Sequence, residues 1–390
     1  MEKTKRPRSG LHWIRVACFV AVTLPNCTRC CPTGFGSCQC NWAWEECPGT
    51  SSGCGSCGSS SSGSGCNSMA ADEPPPSGVP EASAHGLSVA PAAPAKEDEE
   101  RGGTHAFVAA DSKTFLVVSL GALDEVRTFH VEANALDEDP LTVRPAGLFP
   151  FDGERPGRVA TDDRGRAVVA LRGPGAVVAI DPLRALAGET HAACPAPNAL
   201  AARQDLTYVA CGSGEVVTLR TSDGAEIGRV SLGGALGELA VSGDGLVASA
   251  GATLFAFGAD AGLTRRDAPG AIEPVRASAG ALRVAVGSDL GSFEADGFRS
   301  RTHASAPISD LAVLGDATAF VADGEAWLRA SEGGDLVPVA EGLAARAVAL
   351  ADVGGEITRR VLVLQTVEPR MLVFFTVPGV PSAAAIEPLE

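Results

Sequence analysis

Aromatic residues are scarce in this 390-residue chain, at 5% of the total with a single tyrosine. Any core must therefore be packed from Val, Ala and Leu. Lysine is nearly missing and stands only at positions 3, 5, 96 and 113. No Gly-Lys pair occurs, which excludes a phosphate-binding P-loop, and no C-x-x-C-H motif occurs, which excludes covalent haem attachment. The six histidines, His12, His85, His105, His130, His191 and His303, are scattered without metal-ligand spacing. No pattern implies a cofactor. No stretch approaches 18 uninterrupted apolar residues, so an integral helical membrane protein is excluded. A formal net charge of −16 argues against nucleic acid or an anionic lipid surface as partner, because both reward cationic patches.

What is abundant is small. The chain holds 46 glycines and is 45% hydrophobic, a composition suited to short strands between tight turns. Arginine in place of lysine, with plentiful Ala and Gly, reads as the codon composition of a GC-rich bacterial genome.

The first hundred residues divide by composition. Lys3, Lys5, Arg6, Arg8 and Arg15 precede the apolar run Val16 to Leu24, the charged-then-apolar form of an export signal over residues 1–26. Leu24-Pro25-Asn26-Cys27 resembles a bacterial lipobox, although Pro25 and Asn26 replace its usual small residues; Cys27 is the residue that would carry the lipid and attach the chain to a membrane. Residues 27–66 form a Cys/Ser/Gly-rich spacer, and ten of the twelve cysteines lie between Cys18 and Cys66. Cys27 with Cys30 and Cys54 with Cys57 have zinc-clamp spacing. No histidine lies nearby and other thiols compete, so mixed disulfides in an oxidising compartment are the favoured reading. Gly49-Thr50-Ser51-Ser52-Gly53 and Gly53 to Gly58 match a nucleophile elbow and a dinucleotide fingerprint, but a Ser/Gly run supplies neither the strand nor the helix those motifs need. Residues 67–103 are Pro/Ala-rich with an acidic cluster from Glu97 to Glu100, the composition of a disordered linker. Translation from Met69 would remove both signal and cysteine cluster.

Beyond position 103 the chain repeats itself. Arg158 to Asp181 reads as three short strands joined by an Asp/Gly turn and a second Gly turn, and aligned copies begin near Val159, Ala199, Leu239, Val275, Leu311 and Ala347, spaced by 40, 40, 36, 36 and 36 residues. A period in that range, built from short strands, is a propeller blade rather than a helical repeat. One further unit fits before Val159, with an insertion from Glu132 to Gly157 that brings in Phe149 and Phe151, so the expectation is all-β: seven four-stranded antiparallel blades over residues 104–377, followed by a C-terminal tail, 378–390. The last unit shows three clear strands, leaving Leu87 to Ala90 or Ala384 to Ile386 to cover its edge.

Ala160-Thr161-Asp162 to Gly165, Ala167 to Ala170, Val177 to Asp181 and Tyr208-Val209-Ala210 resemble the repeats of exported bacterial seven-bladed propellers of the YVTN/YncE-like, surface-layer-type group. The resemblance implies a generally non-catalytic propeller that binds a protein or small ligand at one face.

Cys194 precedes an inner strand and Cys211 ends the next, which brings both to one end of the sheet; a disulfide is favoured there over two free thiols. Asp162-Asp163, Asp205, Asp223, Asp244 and Asp316 suit hairpin turns, and no D-x-D-x-D-G calcium loop is present. Trp327 reads as blade packing. The expected function is a monomeric binding or interaction scaffold at the cell envelope. The rival is a lactonase-like or quinoprotein-like propeller enzyme, which would need three or more carboxylates or amides converging in the central channel.

Overall fold

The computed structural model describes residues 104–389, apart from residues 137, 244, 259–261, 279–280, 340–341, 368–369 and 378–382. The export signal, Cys27, the cysteine-rich spacer, both C-x-x-C pairs and Leu87 to Ala90 lie outside the described residues. What is described is a ring of seven four-stranded antiparallel sheets.

Each blade is one continuous stretch of chain. Blade 1 holds β1 (His105–Ala110), β2 (Lys113–Leu120), β3 (Glu125–Ala133) and β4 (Leu141–Pro150); blade 2 holds β5 (Pro156–Thr161), β6 (Ala167–Leu171), β7 (Ala176–Asp181) and β8 (Leu186–Ala192). Blade 3 is β9 (Pro197–Arg203), β10 (Leu206–Cys211), β11 (Glu215–Arg220) and β12 (Glu226–Ser231). Blade 4 is β13 (Glu238–Ser242), β14 (Gly245–Ala250), β15 (Thr253–Gly258) and β16 (Gly262–Asp267). Blade 5 is β17 (Ile272–Ser278), β18 (Ala281–Val286), β19 (Asp289–Glu294) and β20 (Gly297–His303). Blade 6 is β21 (Ile308–Leu314), β22 (Ala317–Ala322), β23 (Glu325–Arg329) and a two-residue β24 (Val337–Pro338). Blade 7 is β25 (Ala345–Val353), β26 (Arg359–Thr366), β27 (Met371–Val377) and β28 (Ala385–Pro388). The first strands touch in cyclic order from β1 to β25 and back to β1, so they wall the central channel.

The middle strands show why the sequence reads as apolar runs rather than strict alternation. A blade is covered on both faces, and successive residues point to opposite ones. Along β6, Ala167, Val169 and Leu171 pack toward blade 1, whereas Val168 and Ala170 pack toward blade 3. Along β26, Val361 and Val363 face blade 1, and Leu362 and Leu364 face blade 6. Among the described residues the buried apolar side chains accordingly gather into seven clusters, one at each seam between blades. Small residues such as Ala199, Ala201 and Ala210 let neighbouring sheets approach, which is how a chain poor in aromatics fills its core.

Closure uses the last seam. Leu116, Phe129 and Val131 of blade 1 pack against Val361, Phe374 and Leu389 of the last blade. Backbone bonds reinforce the join: Ala133 N–H donates to the Gly354 carbonyl at 3.0 Å, and Glu356 N–H donates to the Ala133 carbonyl at 2.9 Å. The outer edge of the last blade is covered by β28, paired antiparallel to β27. The terminal stretch 378–390, read from sequence as a tail, thus supplies a strand, and no blade is shared between the two ends of the described chain.

The insertion expected in blade 1 is not one. Its residues 145–150 continue the outer strand, with a bulge opposite Thr128 and Phe129, and Phe149 pairs with Val126. Phe149 and Phe151 are buried in the seam with blade 2, so this segment is packing rather than a loop free for a partner.

The Asp turns hold their hairpins by local bonds. Asp162 Oδ1 accepts the backbone N–H groups of Arg164 and Arg166 at 3.0 and 2.8 Å, and Asp223 Oδ1 accepts that of Ala225 at 3.0 Å. Asp124 reaches further and accepts from Gly153 N and Arg155 N, fixing the connector between the first two blades. Cys194 and Cys211 are joined by a disulfide across 6.1 Å between Cα atoms, both side chains buried. Beside this bridge Gly214 has φ +89°, and a Cβ there would collide with the Gly234 carbonyl, so the β10–β11 turn requires glycine.

Candidate functional site

The first strands begin at one mouth of the channel, and there the apolar pattern breaks. Arg158 (β5), Glu238 (β13), Arg276 (β17) and Asp310 (β21) form an alternating chain of charge. Arg158 Nη2 donates to Glu238 Oε1. Arg276 Nη1 donates to Glu238 Oε2 at 2.8 Å, and its Nη2 donates to Asp310 Oδ1 at 3.1 Å. Asp310 Oδ2 accepts the backbone N–H of Val348 in blade 7 at 2.9 Å. Blade 3 joins through Asn198, whose Nδ2 donates to the Leu236 carbonyl at 2.8 Å. His105 of blade 1 lies nearby, with Asp310, Arg346 and Arg276 all within electrostatic reach.

These groups are deeply placed. The side chains of Arg158, Glu238 and Asp310 are 4%, 3% and 1% exposed, so their charges survive only because they are paired. Burial alone would pull the Arg276 guanidinium below its ordinary pKa; Glu238 and Asp310 outweigh it and raise the value. His105 goes the other way: burial lowers it to about 4, overriding Asp310, and Arg346 and Arg276 add to the depression. The imidazole is therefore neutral at physiological pH, with Thr104 Oγ1 3.2 Å from its Nδ1.

Above this network lies a cavity of about 290 Å³, walled by residues such as Val159, Ala199, Ala201, Leu239 and Ala277. A metal or a general base needs free carboxylate lone pairs. Here each of the four oxygens of Glu238 and Asp310 already accepts a hydrogen bond. Among the described residues no three His, Cys, Asp or Glu side chains converge as a metal-binding group.

The Cys194–Cys211 bridge sits apart from the channel, tying the β8–β9 connector to the end of β10. Trp327 of β23 packs at the seam between blades 5 and 6. The channel residues themselves were not singled out from sequence, yet a signal existed. Arg158, Asn198 and Glu238 recur at 40-residue steps, each a polar group at the head of an otherwise apolar strand.

The fold has recognisable relatives. Virginiamycin B lyase from Staphylococcus aureus superposes with a TM-score of 0.50 at 11% identity, over 70% of this chain and 93% of the lyase. PorZ, a surface component of the type-IX secretion system of Porphyromonas gingivalis, superposes with a TM-score of 0.51 at 13% identity, over 74% of this chain and 38% of PorZ. Identities this low speak for architecture and not for activity. No family model and no curated protein matches the sequence. The class is thus a seven-bladed β-propeller whose channel mouth carries an ion-pair chain joining blades 2, 4, 5 and 6.

Proposed function

We propose that this is a non-catalytic, exported propeller of the YVTN/YncE-like repeat group that works as a monomeric binding or interaction scaffold at the bacterial cell envelope. The observation that carries the reading is the engagement of Glu238 and Asp310: each of their four carboxylate oxygens accepts a hydrogen bond from Arg158, Arg276 or a backbone N–H. Those charges stitch blades together instead of awaiting a substrate. The buried disulfide supports an oxidising compartment and hence export, and Cys27 is the residue through which a lipid would hold the chain at the membrane. In this reading the partner docks on loops at a face of the ring.

The test pairs turnover with location. The purified full chain is expected to hydrolyse no lactone and reduce no dehydrogenase dye above background, and to fractionate with the envelope. Turnover abolished by Glu238→Gln in a still-folded protein would overturn the non-catalytic assignment, and recovery in the cytoplasm with reduced Cys194 and Cys211 would overturn export.

A further inference from the structure

At the face of the ring opposite the ion-pair chain, the seam between blades 4 and 5 opens into a cavity of about 270 Å³. Ser242, at the end of β13, lines it, whereas Glu238 stands at the start of the same strand. The opening begins with a fault in blade 5. Leu290 pairs with Thr302 and Gly291 with Ser300, which leaves Arg301 over as a bulge in β20. At this kink Gly291 lies so close to β20 that a Cβ would strike the Arg299 carbonyl. The β18–β19 ladder stops at the same point. It runs from Val286 opposite Asp289 to Val284 opposite Gly291 and no further, although β18 begins at Ala281 and β19 ends at Glu294. Residues 281–283 and 292–294 are all part-exposed as a result.

The pocket wall is apolar and within reach of solvent. Ala256 of β15, Leu282 of β18 and Phe293 of β19 are partly buried side chains packed on the seam. Arg266 of β16 is exposed and is the one charged group among the described lining residues. Its Nη1 donates to the Glu294 carbonyl at 3.1 Å, an acceptor beyond the end of the ladder. The neighbouring Arg265, Arg299 and Arg301 pair with Asp267 or Glu294, whereas among the described residues Arg266 pairs with no carboxylate. Its Nε and Nη2 are thus left to another acceptor. A guanidinium fork beside an apolar wall matches an apolar group that carries a carboxylate. The volume lies below the range of about 300 to 1,000 Å³ usual for whole small-molecule sites, and suits one side chain.

We propose that this pocket binds the C-terminal residue of a partner polypeptide. The apolar side chain lies against Ala256, Leu282 and Phe293, the terminal carboxylate sits on Arg266, and the extended residues before it follow the unpaired rungs of β18 and β19. Capture of a chain end and pairing of its main chain with unfilled strand positions are both established modes of peptide recognition. The proposal rests on the scaffold reading for its use in the cell, by giving the partner its chemistry. Turnover in the channel would overturn that reading and leave the binding measurement below unchanged.

Calorimetric titration of the full-length protein with acetylated Gly-Thr-Val-Leu tests it, against the same peptide as a C-terminal amide and against 4-methylpentanoate, which keeps the carboxylate and the branched chain without the peptide. Saturable binding of the free acid is expected, weakening as salt rises, with the amide and 4-methylpentanoate each at least about tenfold weaker. Arg266→Gln should cost the free acid about tenfold and leave the amide unchanged, a loss of discrimination that a packing defect would not produce. Ala256→Leu fills the pocket from its wall and should abolish binding, whereas Arg184→Gln on blade 2 should change nothing. Should Ala256→Leu fail to fold, the acid and amide compared on wild type and on the exposed Arg266→Gln variant carry the test. No saturable binding at about 5 mM of peptides ending in Leu, Val or Phe, or equal affinity for acid and amide, would overturn the proposal. Equal affinity for 4-methylpentanoate would overturn it too, by assigning the pocket to a free small acid.

Discussion

Replacing His105 with glutamine should flatten the acid sensitivity of the protein. In the folded ring this imidazole titrates at about 4, because burial between the first and last blades opposes its charged form. In an unfolded chain the value is near 6.5. As pH falls below 6.5 the unfolded state therefore gains a proton that the native state refuses until about pH 4. The stabilising contribution is complete above the unfolded value and disappears progressively on acidification. At about 1.4 kcal/mol per pKa unit, the loss between about pH 7 and pH 4.5 is about 2.5 kcal/mol. Urea unfolding followed by tryptophan fluorescence at the two pH values gives the difference for wild type and for His105→Gln. Carboxylates titrate in both proteins, so the wild type should lose about 2.5 kcal/mol more than the variant whatever the variant's own stability. Equal losses would refute the assignment of His105 as a buried neutral group, as would an NMR titration of its ring near the ordinary value.

Two further perturbations probe the stitching of the ring. Glu238→Ala leaves Arg158 and Arg276 without their shared carboxylate, and removing one partner of so deeply buried a pair is expected to cost about 3 kcal/mol or more, read as a lowered urea midpoint. A Cys194→Ser/Cys211→Ser double variant should lose about 3 kcal/mol under oxidising conditions and should match the wild type once the latter is reduced. A reductant that leaves the wild-type midpoint unchanged would exclude the bridge in solution.

Much of the architecture was legible because turns and strands recur with a period. Asp162 to Gly165 and Gly212 to Gly214 announce hairpins that the structure contains, and the near-constant spacing implies the ring. The cysteine pair was legible for a geometric reason, since a hairpin returns both positions to one end of a sheet. Misreading arose where length departed from the repeat. Residues 145–150 looked surplus because β3 and β4 are unusually long, and a bulge opposite Phe129 hides their pairing from any alternation pattern. The edge cover was ambiguous because β28, at four residues, carries too little periodicity to distinguish it from a tail. The channel chain escaped notice for a different reason. Arg158 and Glu238 are far apart in sequence and of opposite sign, so only closure of the ring reveals them as partners.

The continuity of each blade has a consequence for how the molecule could be cut. Elsewhere in the ring a short connector carries the chain from an outer strand to the next inner one, as residues 193–196 do between β8 and β9. The break between β28 and β1 falls at the corresponding place, an outer strand followed by an inner one, with only the covalent link missing. The closing seam is held by side-chain packing and a few backbone bonds, much as the other six are. Its ends are therefore interchangeable in principle with any other connector. A circularly permuted chain, opened at residues 304–307 and joined by a linker from Leu389 to Thr104, should rebuild the same ring with its free ends between blades 5 and 6, read as an unchanged far-ultraviolet circular dichroism spectrum and a single cooperative urea transition.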